Sequence, residues 1–390
     1  MYPRRQQNIR KRVIAALLIF FLLITGIFVV KGGQYFPAIF QLLFEKDINL
    51  KTTDDKRVNI LLLGIGGGTH DGPDLTDTMI FASIDTTNKK VTLVSIPRDL
   101  WMPELKQKVN FAYAYGEVKK KGGGIIGSRA AVETLLGQEI DYVLRMDFDG
   151  FVKAIDMVGG LDITVDKTFD DYQYPLTGRE SDSCGLTDEK IASLSAEVAT
   201  GSATENEAFP CRYEHLHFDK GQQKMNGTNA LKFVRSRHGE NGEGSDFARS
   251  KRQEKVISAF KDKIFSANTF LNPVKLISLA DVFKDSIDTD IKNDEYDDFV
   301  KLAQKIKGAT TKSAILDLGA ESEDRFGLLE QPDITNEYKN QYVVIPRTGN
   351  GKYNEIQEYV KCEIEYSDCV VGKSSIITPS PKPTSVKSKN

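Results

Sequence analysis

The chain has 390 residues, 40% hydrophobic and 27% charged, enough to bury one large core with additions and too balanced for a fibrous or disordered protein. Its formal net charge is −3; Arg4, Arg5, Arg10, Lys11 and Arg12 contribute five cations without an acid among the first twelve residues, so the remainder carries −8. An acidic body excludes general nucleic-acid binding, which needs a broad basic surface.

Residues 1–12 read as a basic cytoplasmic tail. Val13–Val30 is uncharged and strongly apolar, and as a helix it would be about 27 Å long, close to a bilayer core. With basic residues before it, the segment 13–31 predicts a single-pass anchor in the cell membrane, with the N-terminus inside and the body outside. A cleavable signal peptide is the alternative, disfavoured by the length of the run and the lack of a nearby small-x-small site. Residues 32–56 form a juxtamembrane connector.

Val58–Ile65 is a short apolar run ending in glycines, a buried strand followed by a loop. Met79–Ile84 and Val91–Ile96 flank the polar turn Asp85–Lys90 and predict a β-hairpin, closed by Pro97 so that Arg98 and Asp99 stand at the strand end. Helical patterns follow around Ser128–Leu136, Gly150–Val158 and Gly221–Val234, with strands at Tyr142–Met146 and Leu161–Val165. The expected fold class is α/β (α+β): a central mixed sheet flanked by helices, with an N-terminal transmembrane helix. The main domain spans 57–268, interrupted by a polar insertion at 178–213. Residues 269–372 form a smaller C-terminal α/β region with strands at Ala314–Leu318 and Tyr342–Ile345. The low-complexity tail 373–390 is expected to be disordered.

Four cysteines lie far downstream of the anchor. In an oxidising exterior, two local disulfides are expected, Cys184–Cys211 and Cys362–Cys369, with free buried thiols as the alternative. No CxxC or Cys/His spacing suggests zinc.

The segment from Arg235 to Gln253 concentrates Arg235, Arg237, Arg249 and Arg252 with Asp246 and Gln253 around a glycine-rich turn. Guanidinium groups grip phosphate oxygens bidentately, and several together imply a ligand with more than one negative charge. Ser245 or Asp246 starts a helix reaching Ile264, with Asp246, Arg249 and Gln253 on one face and Arg252 at its edge. That stripe continues into Val256, Ile257, Phe260 and Ile264, so the polar residues sit where the helix turns inward; a merely solvated face would place them opposite. Two further segments supply complementary groups: Asp74-Leu-Thr-Asp77 and Ser95-Ile-Pro-Arg98-Asp99. A pyrophosphate with Mg²⁺ needs this combination of guanidinium groups and carboxylates.

At this point the chain resembles the LytR-CpsA-Psr (LCP) proteins of bacterial envelopes. The matching residues are Asn59-Ile-Leu-Leu-Leu-Gly64, Thr76-Asp-Thr-Met79, Ser95–Asp99, Val158-Gly-Gly-Leu161, Gly221-Gln222, Asn226-Gly227, Ala230-Leu231, Arg235-Ser-Arg-His238 and Asp246–Gln253, in family order over about residues 57–265. The resemblance implies a phosphotransferase that moves a glycopolymer, with its linking phosphate, from a polyprenyl-pyrophosphate carrier to a peptidoglycan acceptor. It implies that Arg98, Arg235, Arg237, Arg249 and Gln253 bind the pyrophosphate, and that Asp77 holds Mg²⁺, with Mn²⁺ as a substitute. Reading the residues adds Arg252 as a further phosphate contact and Asp99 as the partner that orients an arginine. Asp246 caps the helix, orients Arg235 or Arg237, or acts as base towards a sugar hydroxyl; Arg98 and Arg249 complete the expected catalytic set. Two positions depart from the family: Gly66 replaces an Asp and Leu75 replaces an Arg, leaving His70, Asp71 or Asp74 to compensate, with Asp74 the expected second metal ligand. A membrane-lipid tail requires an apolar groove, with Ala130–Leu136, Phe151–Val158 and Val256–Ile264 as candidate linings, although each apolar residue is more often plain core. Trp101 reads as packing, or as a sugar-stacking rim residue. Hydrolysis of the same pyrophosphate and non-catalytic lipid or glycan binding remain the alternative functions.

Overall fold

The structure is a computed structural model describing residues 48–53, 56–68, 72–176, 178–179, 181–264, 286–306, 308–320, 325–366 and 369–377. The basic tail, the apolar run Val13–Val30 and most of the C-terminal tail lie outside these residues; among the described residues no helix is long and apolar enough to cross a membrane. One compact unit comprises Met1–Leu50 with Ile291–Ile306, and its helix Tyr296–Lys305 carries a Lys301–Asp298 ion pair of 3.1 Å. The other unit, Lys51–Asp290 with Lys307–Asn390, holds the sheet and the candidate site.

At its centre β1 (Arg57–Ile65), β2 (Thr76–Asp85) and β3 (Lys90–Ile96) form an antiparallel meander. The β2–β3 turn is fixed by Asp85, whose Oδ1 accepts the backbone N–H of Thr87 at 2.9 Å and of Asn88 at 2.7 Å. After β3 come the short pair β4 (Trp101–Met102) and β5 (Gln107–Lys108), then helices α1 (Phe111–Lys119) and α2 (Gly124–Leu136). These helices cross closely because glycines line the contact. A Cβ on Gly116 would lie 2.2 Å from the carbonyl oxygen of Gly123. β6 (Tyr142–Asp147) runs parallel to β1 and leads directly into α3 (Phe148–Met157), where the Asp147 side chain caps the helix by accepting from Gly150 N at 2.8 Å.

A second layer follows. β7 (Leu161–Val165) pairs antiparallel with β10 (Gly221–Met225), and β8 (Phe169–Pro175) with β9 (Tyr213–Phe218). Between β8 and β9 lies the polar insertion with helix α4 (Asp188–Ala199), closed by the Cys184–Cys211 disulfide. Helices α5 (Gly227–Arg235) and α6 (Asp246–Ile264) then carry the arginine-rich segment. β11 (Ile287–Thr289) and β12 (Thr310–Ile315) complete the main sheet in the order β11-β6-β1-β2-β3-β12, and α7 (Asn354–Glu365) packs below it, tied to its downstream loop by Cys362–Cys369.

Sheet register explains the core. Val143, Leu61, Phe81, Val94 and Ala314 stand side by side across five strands, all buried against α1, α2 and α7. Strand side chains alternate faces with period two, so this row and the neighbouring Leu63, Met79 and Ile96 present one continuous apolar surface. A second cluster joins Ile155, Leu161, Phe169, Phe233 and Val256 from α3, β7, β8, α5 and α6. The candidate groove residues Ala131, Val132, Leu135, Ile155, Val158 and Val256 all belong to these cores.

The central mixed sheet flanked by helices matches the expected class, and both disulfides form as paired. Two expectations change. Gly221–Met225 is a strand, because the Asn226 side chain starts the helix by accepting from Asn229 N at 2.8 Å. The strands and helix expected of a separate C-terminal region join the main sheet and core: β12 runs parallel to β3 at the sheet edge, β11 pairs with β6, and α7 is part of the main core. Trp101 is buried edge-on to Tyr338, with ring centroids 5.4 Å apart, in keeping with its reading as a packing residue. Leu61→Ala should lower unfolding free energy by about 2–5 kcal/mol, read as a lower urea midpoint at unchanged slope.

Candidate functional site

The three segments identified in the sequence meet at one end of the sheet, where β2 begins and β3 ends. A register shift after Gly64 sets Ile65 opposite Thr76, and Thr76 is anchored by its N–H and hydroxyl, which both donate to the Asn110 carbonyl at 3.1 and 3.2 Å. Beyond β3, Leu100 N donates to Pro97 O and Val344 N to Asp99 O, so the Arg98–Asp99 turn has a fixed backbone.

From that turn the Arg98 Nη1 donates to Asp77 Oδ1, while its Nε lies 3.6 Å from Asp99 Oδ2. Asp99 also takes a 2.7 Å hydrogen bond from Lys108 Nζ and stands 3.9 Å from Arg237 Nη2. One carboxylate therefore gathers Arg98, Lys108 and Arg237. Burial pushes the Asp99 carboxyl up, but the Lys108 hydrogen bond and the charges of Arg98, Lys108 and Arg237 more than reverse this, leaving it below the ordinary carboxylate range.

The arginine segment is folded around a second acid. Asp171 on β8 is fully buried, and its Oδ2 accepts the Ser236 hydroxyl at 2.6 Å and the backbone N–H groups of Arg237 and His238 at 3.2 Å each. The chain leaving α5 is thereby clamped, which places the Arg237 side chain towards Asp99. Arg235 turns instead onto an aromatic pair: its guanidinium lies 4.1 Å from the Phe148 ring centroid and donates to the Tyr174 hydroxyl at 3.2 Å. Burial raises the Tyr174 pKa, against the opposing charge of Arg235.

Helix α6 is capped by Ser245, whose hydroxyl accepts the Ala248 N–H at 3.1 Å; Asp246 is the first helical residue, not the cap, and its side chain lies outside the described part of the structure. One turn on, Arg249, Ser250 and Gln253 line a cleft with Asp77, Thr78, Ser95, Pro97, Ile315 and Leu316, and Gln253 Nε2 donates to Thr78 Oγ1 at 3.3 Å. Arg249 and Gln253 of the expected polar stripe therefore face inward.

Arg252 is the correction. It is 3% exposed, and it donates to the carbonyls of Phe233 (2.8 Å), Glu243 (2.7 Å) and Ser236 (2.6 Å) and to the Glu243 carboxylate (2.8 Å). Burial lowers its pKa, and Glu243 counters that. Its donors are committed to the chain itself, so it pins α5 and the glycine-rich turn to α6 instead of reaching a phosphate.

Around the cleft, Arg98, Lys108, Arg237 and Arg249 gather near Asp77 and Asp99, a cation-rich group suited to an anion with several oxygens. For a metal, Asp77 offers its Oδ2, which has no protein partner among the described residues, because Arg98 takes Oδ1. Asp74 is exposed in the turn before β2, and among the described residues no trio of acidic, histidine or cysteine ligand atoms gathers at Asp74 or Asp77; His70 and Asp71 lie outside them. A single carboxylate oxygen suits Mg²⁺, which is commonly held by one or two carboxylates, substrate phosphates and water.

Lys108, Asp171, Tyr174, Phe148 and Glu243 carry this geometry and are absent from the residues selected by sequence. Asp171 stands beside Asp170 and Gln173 in a largely polar strand, so nothing local marks it, and the partners of all five are 9 to 87 positions away.

A model of the LytR_cpsA_psr family matches residues 41–341. A polyisoprenyl-teichoic acid–peptidoglycan teichoic acid transferase, TagU of Oceanobacillus iheyensis, is 28% identical over 256 residues, covering 64% of this chain and 64% of that protein. TagV of Bacillus subtilis, of the same transferase description, is 28% identical over 264 residues, 66% of this chain and 55% of that protein. The chain thus spans less than two thirds of either relative. The crystal structure of B. subtilis TagV superposes with a TM-score of 0.51 at 24% identity, covering 81% of this chain and all of that one, which shows a shared fold.

Two outcomes follow from the geometry. Arg252→Met should cost about 3–5 kcal/mol in urea unfolding, because it leaves the Glu243 carboxylate and three backbone carbonyls without their donor; pyrophosphate affinity of the folded protein, titrated calorimetrically, should change little. Asp99 has a depressed pKa when folded, so its contribution is complete above the ordinary value of about 3.9 and lost as pH falls through the lower folded value. The stability gap between the wild type and Asp99→Asn, followed by urea midpoints from pH 7 to pH 2, should therefore hold down to about pH 4 and close below it.

Proposed function

The chain belongs to the LytR-CpsA-Psr family, and from that premise we propose that it transfers a glycopolymer from a polyprenyl-pyrophosphate carrier to peptidoglycan, as an extracytoplasmic enzyme anchored by Val13–Val30. The observation that carries this reading is the Asp99-centred pairing of Arg98 with Arg237 beside the cleft of Asp77, Arg249 and Gln253. A diphosphate linkage is the common group that matches clustered guanidinium donors. The relatives' description as polyisoprenyl-teichoic acid–peptidoglycan transferases supports the donor and acceptor classes. Which glycopolymer is carried is left at the level of its class.

In the proposed step an acceptor hydroxyl oxygen attacks the phosphorus on the glycan side of the pyrophosphate. The bond from that phosphorus to the bridging oxygen breaks, the lipid departs as its monophosphate, and the hydroxyl proton passes to a base, for which Asp246 at the start of α6 is the candidate. Negative charge grows on the leaving phosphate, and Arg98, Arg237 and Arg249 are pre-placed to meet it without reorganising. Asp77 would hold Mg²⁺, or Mn²⁺ in its place, with Asp74 the second candidate ligand; a bound ion there supplies further neutralisation of phosphate charge. Gln253 would hold a phosphate oxygen as a neutral donor, and Arg235, backed by Phe148 and Tyr174, would contact the sugar-phosphate side.

Arg98→Ala and Arg249→Ala should each lower turnover about 10²–10³-fold. The assay follows lipid monophosphate released and phosphate-linked polymer gained by peptidoglycan. Arg98→Lys should recover little, since an ammonium lacks the planar fork that engages Asp77 and a phosphate together. Turnover unaltered in both alanine variants would remove these arginines from the reaction.

A further inference from the structure

The two most exposed large apolar side chains among the described residues, Val118 at 83% and Ile126 at 63%, flank one turn, that between α1 and α2. Tyr115, one helical turn back, is also exposed, and the turn itself carries the exposed Lys119, Lys120 and Lys121. The turn is ordered by its own hydrogen bonds. Glu117 accepts Gly122 N at 3.0 Å and Gly124 N at 2.8 Å, Gly123 N donates to Lys120 O at 2.7 Å, and Gly116 packs directly on Gly123. The one acid in the turn is thus directed at backbone N–H groups, leaving three lysines beside a held-out apolar prominence.

Single exposed apolar residues are ordinary, but this grouping has a specific chemistry. We propose that the α1–α2 turn docks on an anionic lipid surface, with Val118 and Ile126 entering the headgroup–acyl boundary and the three lysines meeting lipid phosphates. Lysines around exposed aliphatic and tyrosine side chains are the composition that partitions into a membrane interface. A soluble polyanion would engage the lysines and leave Val118 and Ile126 in water, which makes a bilayer the better partner. α1 starts beside Asn110, whose carbonyl anchors Thr76 at the cleft, and nine helical residues span about 14 Å. Docking would hold the cleft roughly one short helix from the lipid surface, the region where a lipid-borne pyrophosphate is presented. That consequence rests on the transfer reading above; the docking itself does not.

All four cysteines are paired in disulfides, so a single introduced thiol accepts an environment-sensitive fluorophore selectively. The full chain carrying Val118→Cys or Ile126→Cys would be labelled and reconstituted in vesicles of phosphatidylcholine alone or with phosphatidylglycerol, with Ser195→Cys on the exposed α4 as reference. Expected is a blue shift at 118 and 126 with phosphatidylglycerol, none at 195, and its loss when Lys119, Lys120 and Lys121 are changed to Gln. No shift at either position, an equal shift at 195 or on neutral vesicles, or a shift produced in detergent by soluble polyglutamate without lipid would each overturn the proposal. Turnover in detergent is measured on the same variants and should match the wild type, so failure of docking leaves the phosphotransfer reading standing.

Discussion

The geometry of the cleft depends on one partly buried carboxylate. Two like unit charges about 4 Å apart near a protein surface repel by about 4 kcal/mol, so guanidinium groups do not assemble without a counter-charge. Asp99 supplies it, facing Arg98, Lys108 and Arg237 at once, while Asp77 takes the other edge of Arg98. The arrangement gathers guanidinium groups on one side of the cleft, which is what the proposed diphosphate ligand requires.

That carboxylate works only because the backbone on both sides is already fixed. On one side, Pro97 and the Asp99–Val344 contact hold the turn after β3. On the other, buried Asp171 collects the Ser236 hydroxyl and two consecutive backbone N–H groups, and Arg252 ties three carbonyls and Glu243 together behind them. A buried donor or acceptor left unpaired costs about 1–3 kcal/mol, more when charged, so these networks favour one course for the arginine loop over its alternatives. Preorganisation of this kind places positive charge before the reaction and avoids moving it during the reaction.

The fold was largely legible because its signals are local. Val58–Ile65, Met79–Ile84 and Val91–Ile96 are short apolar runs, the last two joined by a polar turn, which is the pattern of buried strands, and these strands form the sheet centre. The helical pattern expected over Gly221–Val234 holds only from Gly227, because Gly221–Met225 pairs with β7 as a strand. The C-terminal strands looked like a separate region because sequence distance hides the parallel pairing of β12 with β3, 220 positions apart at Thr310 and Lys90.

By itself the sequence determined which charges are available, that they recur in an ordered set of segments, and which cysteines lie near enough in the chain to pair. It could not decide which arginine lines the cleft and which is enclosed by the fold, since Arg249 and Arg252 are three residues apart on one helix and chemically identical. Tertiary structure made that decision. A rotation of about 60° around the α6 axis separates a guanidinium lining a cleft from one enclosed by carbonyl oxygens, and only the packed partners distinguish them.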